Sequence, residues 1–222
     1  AALARETRRV TDWDIVNYKD GTLTRQLDRR INALGLASLA DYVSYVVDRP
    51  EELAALRDSM LITVTSFMRD RRSFDALRHA LKPVIDAKAP GEPVRAWVAA
   101  CATGEEAYSV AMVIAELVRE RGDDLPIKVF ATDISDTAME SARRGVYPLD
   151  ALRDVPPTWR SRYFEVSGEY ATVTKKLRES LVIARQDVTR DPPLVRMDLV
   201  SCRNLLIYLV PGVQSRVLSS FW

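Results

Sequence analysis

The spacing of apolar and polar residues separates a helical first part of the sequence from a second part with a different period. Between residues 10 and 85, apolar residues recur at helical intervals, as in the set Leu23, Leu27, Ile31 and Leu34. We therefore expect residues 1–82 to form a small all-helical domain.

Proline and glycine cluster where the helical period stops. Residues 83–93 contain Pro83, Pro90, Gly91 and Pro93, and these residue types interrupt regular structure. The segment predicts a linker between the helical domain and a second domain over residues 94–222.

Short apolar runs alternate with helical segments after this linker. Residues 94–100 and 127–133 have the length and composition of buried parallel strands, and residues 198–202 form a third such run. This alternation is typical of a parallel α/β sheet with helices on both faces.

Local signals mark the ends of the helices between these strands. Thr103 and Glu106 have the spacing of a capping box, and the helix that follows should end near Gly122. Ser135 is placed to cap a second helix that ends before Gly145.

Residues 163–186 follow another pattern. β-branched residues alternate with polar ones in the segments GEYATVTKKL and SLVIARQDV. This region therefore predicts short antiparallel strands inserted into the α/β unit.

Composition and charge exclude several classes of protein. The 222 residues are 47% hydrophobic and 28% charged, and 32 Lys and Arg against 31 Asp and Glu leave a formal charge of +1. Such a chain has no global attraction to nucleic acid or anionic membrane.

No run approaches the roughly 18 apolar residues of a membrane span, and the first residues lack a signal peptide's apolar core. We expect a cytoplasmic protein that does not insert into membranes.

Cysteine and histidine are too few for a structural metal site. Cys101, Cys202 and His79 are the whole supply, which is less than a closed tetrahedral zinc site needs. We expect no metal.

The candidate binding site lies where the predicted strands end. In open α/β sheets, ligands bind beyond the carboxyl ends of the strands. This rule selects residues 101–106, Asp133 and residues 202–204. A carboxylate at the end of the second strand is placed to accept hydrogen bonds from the ribose hydroxyls of an adenine nucleoside.

Charge in the first of these loops separates two candidate ligands. A dinucleotide needs a fuller glycine fingerprint, whereas here Gly104 is followed by Glu105 and Glu106. Negative charge there repels phosphate and suits S-adenosylmethionine, which carries an ammonium and a sulfonium. The alternative is that the two glutamates only favour the helix dipole.

The motifs found so far resemble the chemotaxis methyltransferase family, often called CheR, in order along nearly the whole chain. The resemblance rests on five segments: YKDGTLTRQLDRRINALGL, ITVTSFMRD, WVAACATGEEAYSVAM, VFATDIS and DLVSCRNLLIYL. It implies an α/β fold: a Rossmann-like S-adenosylmethionine methyltransferase sheet with a small N-terminal all-helical domain and a small inserted antiparallel β subdomain.

The resemblance also implies site residues, carried over position by position. Arg69 and Tyr208 correspond to the catalytic pair beside the transferred methyl group. The cofactor, S-adenosylmethionine or its product S-adenosylhomocysteine, would be bound by Thr63, Thr65, Arg69, Ala100, Gly104, Glu105, Asp133, Ile134, Asp187, Val188, Asn204 and Leu205.

The sequence departs from the family pattern at three places. Thr63 replaces the usual asparagine, and Met68 replaces a phenylalanine. The family continues from the CRNLLIY segment into two further strands, whereas this sequence stops at Trp222. We expect those strands either to be missing or to differ greatly, and their absence would affect stability more than site identity.

The implied function is a protein-glutamate O-methyltransferase that acts on the cytoplasmic domain of a methyl-accepting chemotaxis receptor. Lys19, Arg25, Arg29 and Arg30 could present a basic helix face to an acidic receptor helix, or could be an ordinary solvated face balanced by Asp20 and Asp28. A second reading is a non-catalytic S-adenosylmethionine-binding regulatory module in a larger signalling protein. A methyltransferase for small molecules or nucleic acid is disfavoured, because no concentrated basic or aromatic surface is evident.

Overall fold

A computed structural model describes residues 2–11, 13–47, 49–60 and 65–222. The chain forms two compact units, Ala1–Ile62 with Asn204–Trp222, and Thr63–Arg203. In the described part, no helix is long and apolar enough to cross a membrane.

The first unit is helical, as predicted. Its helices are α1 (Ala2–Thr11), α2 (Asp20–Ala33), α3 (Leu39–Val46) and α4 (Pro50–Met60). Apolar residues from successive helices form its core: Ile31, Tyr42, Val46, Leu53 and Leu56.

A buried ion pair joins three of these helices. Glu52 of α4 is 6% exposed and accepts hydrogen bonds from Arg30 Nε at 2.9 Å and from the Tyr42 hydroxyl at 2.8 Å. Arg30 therefore belongs to the helix packing and not to a solvated basic face, while Arg25 and Arg29 are exposed as expected.

The second unit alternates helices and strands. In chain order its elements are α5 (Arg71–Asp86), β1 (Val94–Ala99), α6 (Glu105–Arg121), β2 (Ile127–Asp133), α7 (Asp136–Arg144), β3 (Val146–Pro148), α8 (Pro157–Tyr163), β4 (Phe164–Ser167), β5 (Tyr170–Val173), α9 (Lys175–Glu179), β6 (Leu181–Arg185) and β7 (Leu199–Ser201). Four of the strands form a parallel sheet with the order β6-β2-β1-β7. The parallel α/β architecture is thus the one that the alternating pattern predicts.

The predicted linker is wrong at its start. Helix α5 continues to Asp86 with Pro83 inside it, and Leu81 and Ile85 are buried in the core of the second unit. The free energy gained by burying this apolar face outweighs the free energy lost with the one hydrogen bond that proline removes near the helix end. Helix α5 also lies in the second unit, so the compact units divide before the predicted boundary.

The predicted antiparallel insertion is only partly correct. A small antiparallel sheet with strand order β3-β5-β4 is present, but residues 175–179 form helix α9. Strand β6 pairs in parallel with β2, from Val129 opposite Leu181 to Asp133 opposite Arg185. An edge strand is half solvated, so its residues alternate as those of an antiparallel strand do.

The chain returns to the first unit after Arg203. A 3-10 turn at Leu206–Tyr208 precedes α10 (Pro211–Ser220), and Tyr18 forms an isolated antiparallel bridge with Leu209. This places the end of the CRNLLIYL segment beside the segment between α1 and α2.

Candidate functional site

The loop after β1 has an unusual backbone. Ala100, Ala102 and Gly104 have φ angles of 57°, 48° and 98°, so every second residue is left-handed. Non-glycine residues adopt this conformation only when surrounding contacts impose it, and such strain concentrates at functional sites. One contact is the hydrogen bond from the Ala102 amide to Asp133 Oδ2, 2.8 Å long.

Gly104 lets this loop approach helix α7 closely. A Cβ atom at Gly104 would lie 2.8 Å from the Cβ of Ala142 and 3.0 Å from the Tyr147 hydroxyl oxygen. Gly104 is also the N-cap residue of α6. The predicted capping box is therefore wrong: the Thr103 hydroxyl donates to Glu105 Oε2 at 2.6 Å and caps no backbone amide.

Asp133 ends strand β2, as predicted, and is 8% exposed. Its Oδ2 accepts from the Ala102 amide, and its Oδ1 accepts from the Ser135 amide at 2.9 Å. Burial raises the pKa of Asp133, and main-chain donors at Ser135, Ala102 and Ile134 partly oppose this. A carboxylate has about four acceptor positions, so capacity for ribose hydroxyls remains.

Two carboxylates open helix α6. Burial raises the pKa of Glu105, against the opposing hydrogen bond from Thr103. Burial also raises the pKa of Glu106, whose Oε1 accepts from the Ser201 hydroxyl at 2.6 Å. The segment from Ala100 to Glu106 contains no lysine or arginine, so the loop offers a cationic ligand two acidic partners.

Asp187 and Val188 follow the carboxyl end of β6, next to Asp133. The Gln186 amide donates to the Asp133 carbonyl at 3.0 Å, which brings the two strand ends together. Asp187 Oδ1 accepts from both the amide and the hydroxyl of Thr189. These residues thus lie at the predicted edge of the sheet.

The TSFMRD segment packs into the second unit through Phe67, which is fully buried. Its ring meets Tyr147 edge-on at a centroid distance of 4.8 Å. Thr65 and Arg69, on either side of Phe67, are partly exposed. Thr63 lies outside the described residues.

Asn204, Leu205 and Tyr208 belong to the first unit. Asn204 is exposed and left-handed, with φ 62°. Tyr208 ends the 3-10 turn, and its carbonyl accepts from the Lys19 amide at 2.9 Å.

The two cysteines follow the carboxyl ends of neighbouring strands, as the sheet order predicts. Both are free thiols. Burial and nearby Glu106 raise the pKa of Cys202 to about 12, and burial raises the pKa of Cys101 well above its usual value. Neither is therefore a nucleophile at neutral pH. Where side chains are described, no group of His, Cys, Asp or Glu is arranged to hold a metal ion.

Sequence reasoning missed two residues around this site, Ser109 and Ser201. The Ser109 hydroxyl accepts from the Met68 amide, and the Ser201 hydroxyl donates to Glu106. Arg203 lies within the selected residues 202–204, but its hydrogen bond to the Arg69 carbonyl was not predicted. No local signal identifies Ser109.

Two family models together cover nearly the whole chain. Residues 63–222 match "CheR methyltransferase, SAM binding domain", and residues 1–61 match "CheR methyltransferase, all-alpha domain". The chain is also 34% identical over 201 residues to the "Chemotaxis protein methyltransferase" of Vibrio parahaemolyticus, covering 87% of this chain and 72% of that protein. It is 29% identical over 216 residues to "Chemotaxis protein methyltransferase 2" of Pseudomonas aeruginosa, covering 95% and 75%.

Another relative is much longer than this chain. The "Uncharacterized 104.1 kDa protein in hypE 3'region" of Rhodobacter capsulatus is 39% identical over 206 residues, which are 92% of this chain and 22% of that protein. Because one family model matches most of the chain, and because relatives over 30% identical are covered for more than two thirds of their length, the chain belongs to the CheR methyltransferase family.

Proposed function

We propose that this chain transfers a methyl group from S-adenosylmethionine to glutamate side chains of a chemotaxis receptor. The observation that carries the proposal is the acidic edge of the parallel sheet, in a segment that matches a SAM binding domain. There, Asp133 ends β2 and Glu105 begins α6, and the strained loop of residues 100–104 connects β1 to Glu105.

The cofactor when bound supplies a methyl group on a sulfonium, an already activated leaving group. In this proposal Glu105 pairs with the cofactor's ammonium group, and the free acceptor positions of Asp133 take the ribose hydroxyls. Gly104 keeps the loop close to α7 so that both carboxylates stay at one edge.

The receptor glutamate needs no general base, because its reference pKa of about 4.3 leaves it ionised at neutral pH. The remaining task is orientation of the reacting groups. We assign this task to Arg69, whose guanidinium can hold a carboxylate with two donors, and to Tyr208, which can donate one hydrogen bond.

A double variant tests these roles. Arg69→Ala with Tyr208→Phe removes groups that orient the receptor carboxylate, so labelled methyl transfer to receptor-enriched membranes should fall at least about a hundredfold. Affinity for S-adenosylhomocysteine should fall far less than transfer does, because Arg69 is one of many expected cofactor contacts and lost orientation acts mainly in the transition state. The product of wild-type transfer should be labile to base.

A matched control uses Arg71→Ala with Tyr45→Phe. Arg71 is an exposed arginine at the start of α5, and Tyr45 is a partly exposed tyrosine of α3. This pair should transfer methyl at the wild-type rate. Unchanged transfer in the double variant of Arg69 and Tyr208 would remove both residues from the mechanism.

A regulatory module remains a second candidate because the relative from Rhodobacter capsulatus is far longer than the matched segment. A module that only senses the cofactor would bind S-adenosylhomocysteine and lose affinity on Asp133→Ala. It would transfer no methyl to any receptor preparation. Cofactor binding without transfer by the wild-type protein would favour this candidate.

A further inference from the structure

The turn that carries Arg69 has a strained backbone. Met68 and Asp70, its two neighbours, have φ angles of 53° and 61°, both in the left-handed region. Non-glycine residues hold such angles only where other contacts over-determine the chain. The direction in which Arg69 leaves the backbone therefore depends on the contacts that hold this turn.

Packing and one hydrogen bond fix the first half of the turn. Phe67 is buried between Tyr147 and Phe164, with ring centroids at 4.8 and 5.3 Å. The Met68 amide donates to Ser109 Oγ at 2.9 Å, and Ser109 lies on helix α6.

Arg203 holds the second half of the turn. Its Nη2 atom donates to the carbonyl of Arg69 at 2.8 Å, across 134 positions of sequence. Its guanidinium carbon also lies 5.3 Å from the ring centre of Phe74, in the first turn of α5. One side chain thus contacts both the turn and the helix that follows it.

Glu106 provides the opposing charge. It accepts from the Ser201 hydroxyl at 2.6 Å, at the end of the strand that leads to Arg203. Burial raises the pKa of Glu106, and the positive charges of Arg203 and Arg69 act in the opposite direction. Glu106 and the guanidinium of Arg203 therefore attract each other, which favours the position that Arg203 occupies.

We infer that Arg203 is a positioning residue, which holds the strained turn so that Arg69 points in one direction. The effect of Arg203 on methyl transfer rests on the proposed function, because Arg69 is assigned there to the receptor carboxylate. The contacts by which Arg203 stabilises the turn do not depend on that function. Two separate measurements can therefore test the two parts.

The test compares Arg203→Met with Arg121→Met. Methionine keeps much of the aliphatic stem and removes the donors. Arg121 is a matched control, because its guanidinium likewise donates to backbone carbonyls, those of Ile85 and Lys88, away from the sheet edge that carries the candidate site. Arg203→Lys, which keeps the charge, is the variant to use if Arg203→Met does not fold.

Amide hydrogen exchange measures the turn directly. In Arg203→Met, peptides covering residues 66–73 should exchange about tenfold faster, because the turn opens more often. Arg121→Met should leave this peptide at the wild-type rate, and Arg203→Lys should lie between the two. Wild-type exchange in both Arg203 variants would overturn the inference, whether or not the protein transfers methyl.

Transfer kinetics then separate positioning from cofactor binding. The kcat of Arg203→Met should fall about a hundredfold while KM for S-adenosylmethionine stays within about twofold. Adding Arg203→Met to Arg69→Ala should lower kcat little further than Arg69→Ala alone, since both changes remove the same oriented group. A rise in KM alone, or additive losses in the double variant, would overturn positioning through Arg69. Absence of transfer by the wild type would count against the proposed function. Hydrogen exchange would still test whether Arg203 stabilises the turn.

Discussion

The main-chain amide of Ala102 donates a 2.8 Å hydrogen bond to Oδ2 of Asp133, which ties the loop after β1 to the end of β2. The carboxylate thus supports the left-handed backbone at Ala102 and, in the proposed function, also accepts the cofactor's ribose hydroxyls. Asp133 should therefore matter to stability even when no cofactor is bound.

Asp133→Ala should lower both the stability and the cofactor affinity. It leaves the buried amide of Ser135 and the partly buried amide of Ala102 without their acceptor, at a cost of about 1 to 3 kcal/mol for the buried one and less for the other. Affinity for S-adenosylhomocysteine should fall at least about tenfold. Asp136→Ala, an exposed aspartate in the first turn of α7, is the control for both measurements. Thermal unfolding at the wild-type temperature would contradict the anchoring role of Asp133.

Gly104→Ala should destabilise the fold more than Gly122→Ala does. Both glycines are left-handed, so each change costs about 1 kcal/mol or more in backbone energy. Only at Gly104 would the new methyl group meet a neighbour, Ala142 Cβ at 2.8 Å, whereas Gly122 has open space. The overlap should add about 1 to 3 kcal/mol, measured by urea unfolding. Equal losses would show that helix α7 can move away.

Cofactor affinity should fall on acidification, at a pH above the usual pKa of a glutamate, because burial raises the pKa of Glu105. Only the ionised carboxylate attracts the cofactor's ammonium group, so affinity is lost as the pH falls through this raised pKa. The stability of the free protein has the opposite dependence, since a raised folded-state pKa favours folding at low pH.

Calorimetric titration of S-adenosylhomocysteine from about pH 8 to about pH 5 measures this dependence. Glu105→Gln should bind weakly throughout, with a flatter profile. A wild-type affinity that is constant over this range would contradict the assignment of Glu105.

Glu116→Gln should destabilise the second unit far more than Glu120→Gln, one turn later on α6. Glu116 is 3% exposed and accepts hydrogen bonds from Tyr163, Arg119 and Arg162. Because Arg119 and Arg162 are exposed, the loss should lie below the value for a fully buried ion pair, at about 1.5 to 3 kcal/mol. Glu120 pairs with Arg78 near the surface, which is worth about 0 to 1 kcal/mol.

The loss at Glu116 should depend on pH. Burial alone would raise the pKa of Glu116, but its three hydrogen-bond donors outweigh burial and hold the pKa below its usual value. The contribution is therefore present at neutral pH and is lost as the pH falls through that lowered pKa. A difference from wild type that persists unchanged in acid would contradict this origin.

The sequence predicted the central strands and the edge of the sheet that carries the candidate site. Residues 94–99 and 127–133 are central strands, whose continuous apolar character reflects burial on both faces. Residues 181–185 were wrongly predicted to form an antiparallel strand. Apolar and polar residues alternate in an edge strand whether it pairs in parallel or antiparallel. Pro83 suggested a linker that tertiary packing overrides.

The contacts that hold the site were harder to predict than its residues. Arg203 lies 134 positions from the carbonyl that it contacts, and no local period encodes such a pairing. The left-handed φ angles at Ala100 and Ala102 could not be predicted either, because alanine, unlike glycine, does not favour this conformation. They result from tertiary contacts such as the one between Ala102 and Asp133.

The ring contacts of Phe67 limit how this member of the family can be re-engineered. Tyr147 belongs to β3 and Phe164 to β4, so Phe67 shares its packing with the small antiparallel sheet. Excising that sheet, or exchanging it for another in a chimaera, would leave a cavity directly beneath the Arg69 turn. A hybrid protein would therefore have to inherit Phe67 and its two aromatic neighbours as one set, even if only a new specificity for partners were wanted.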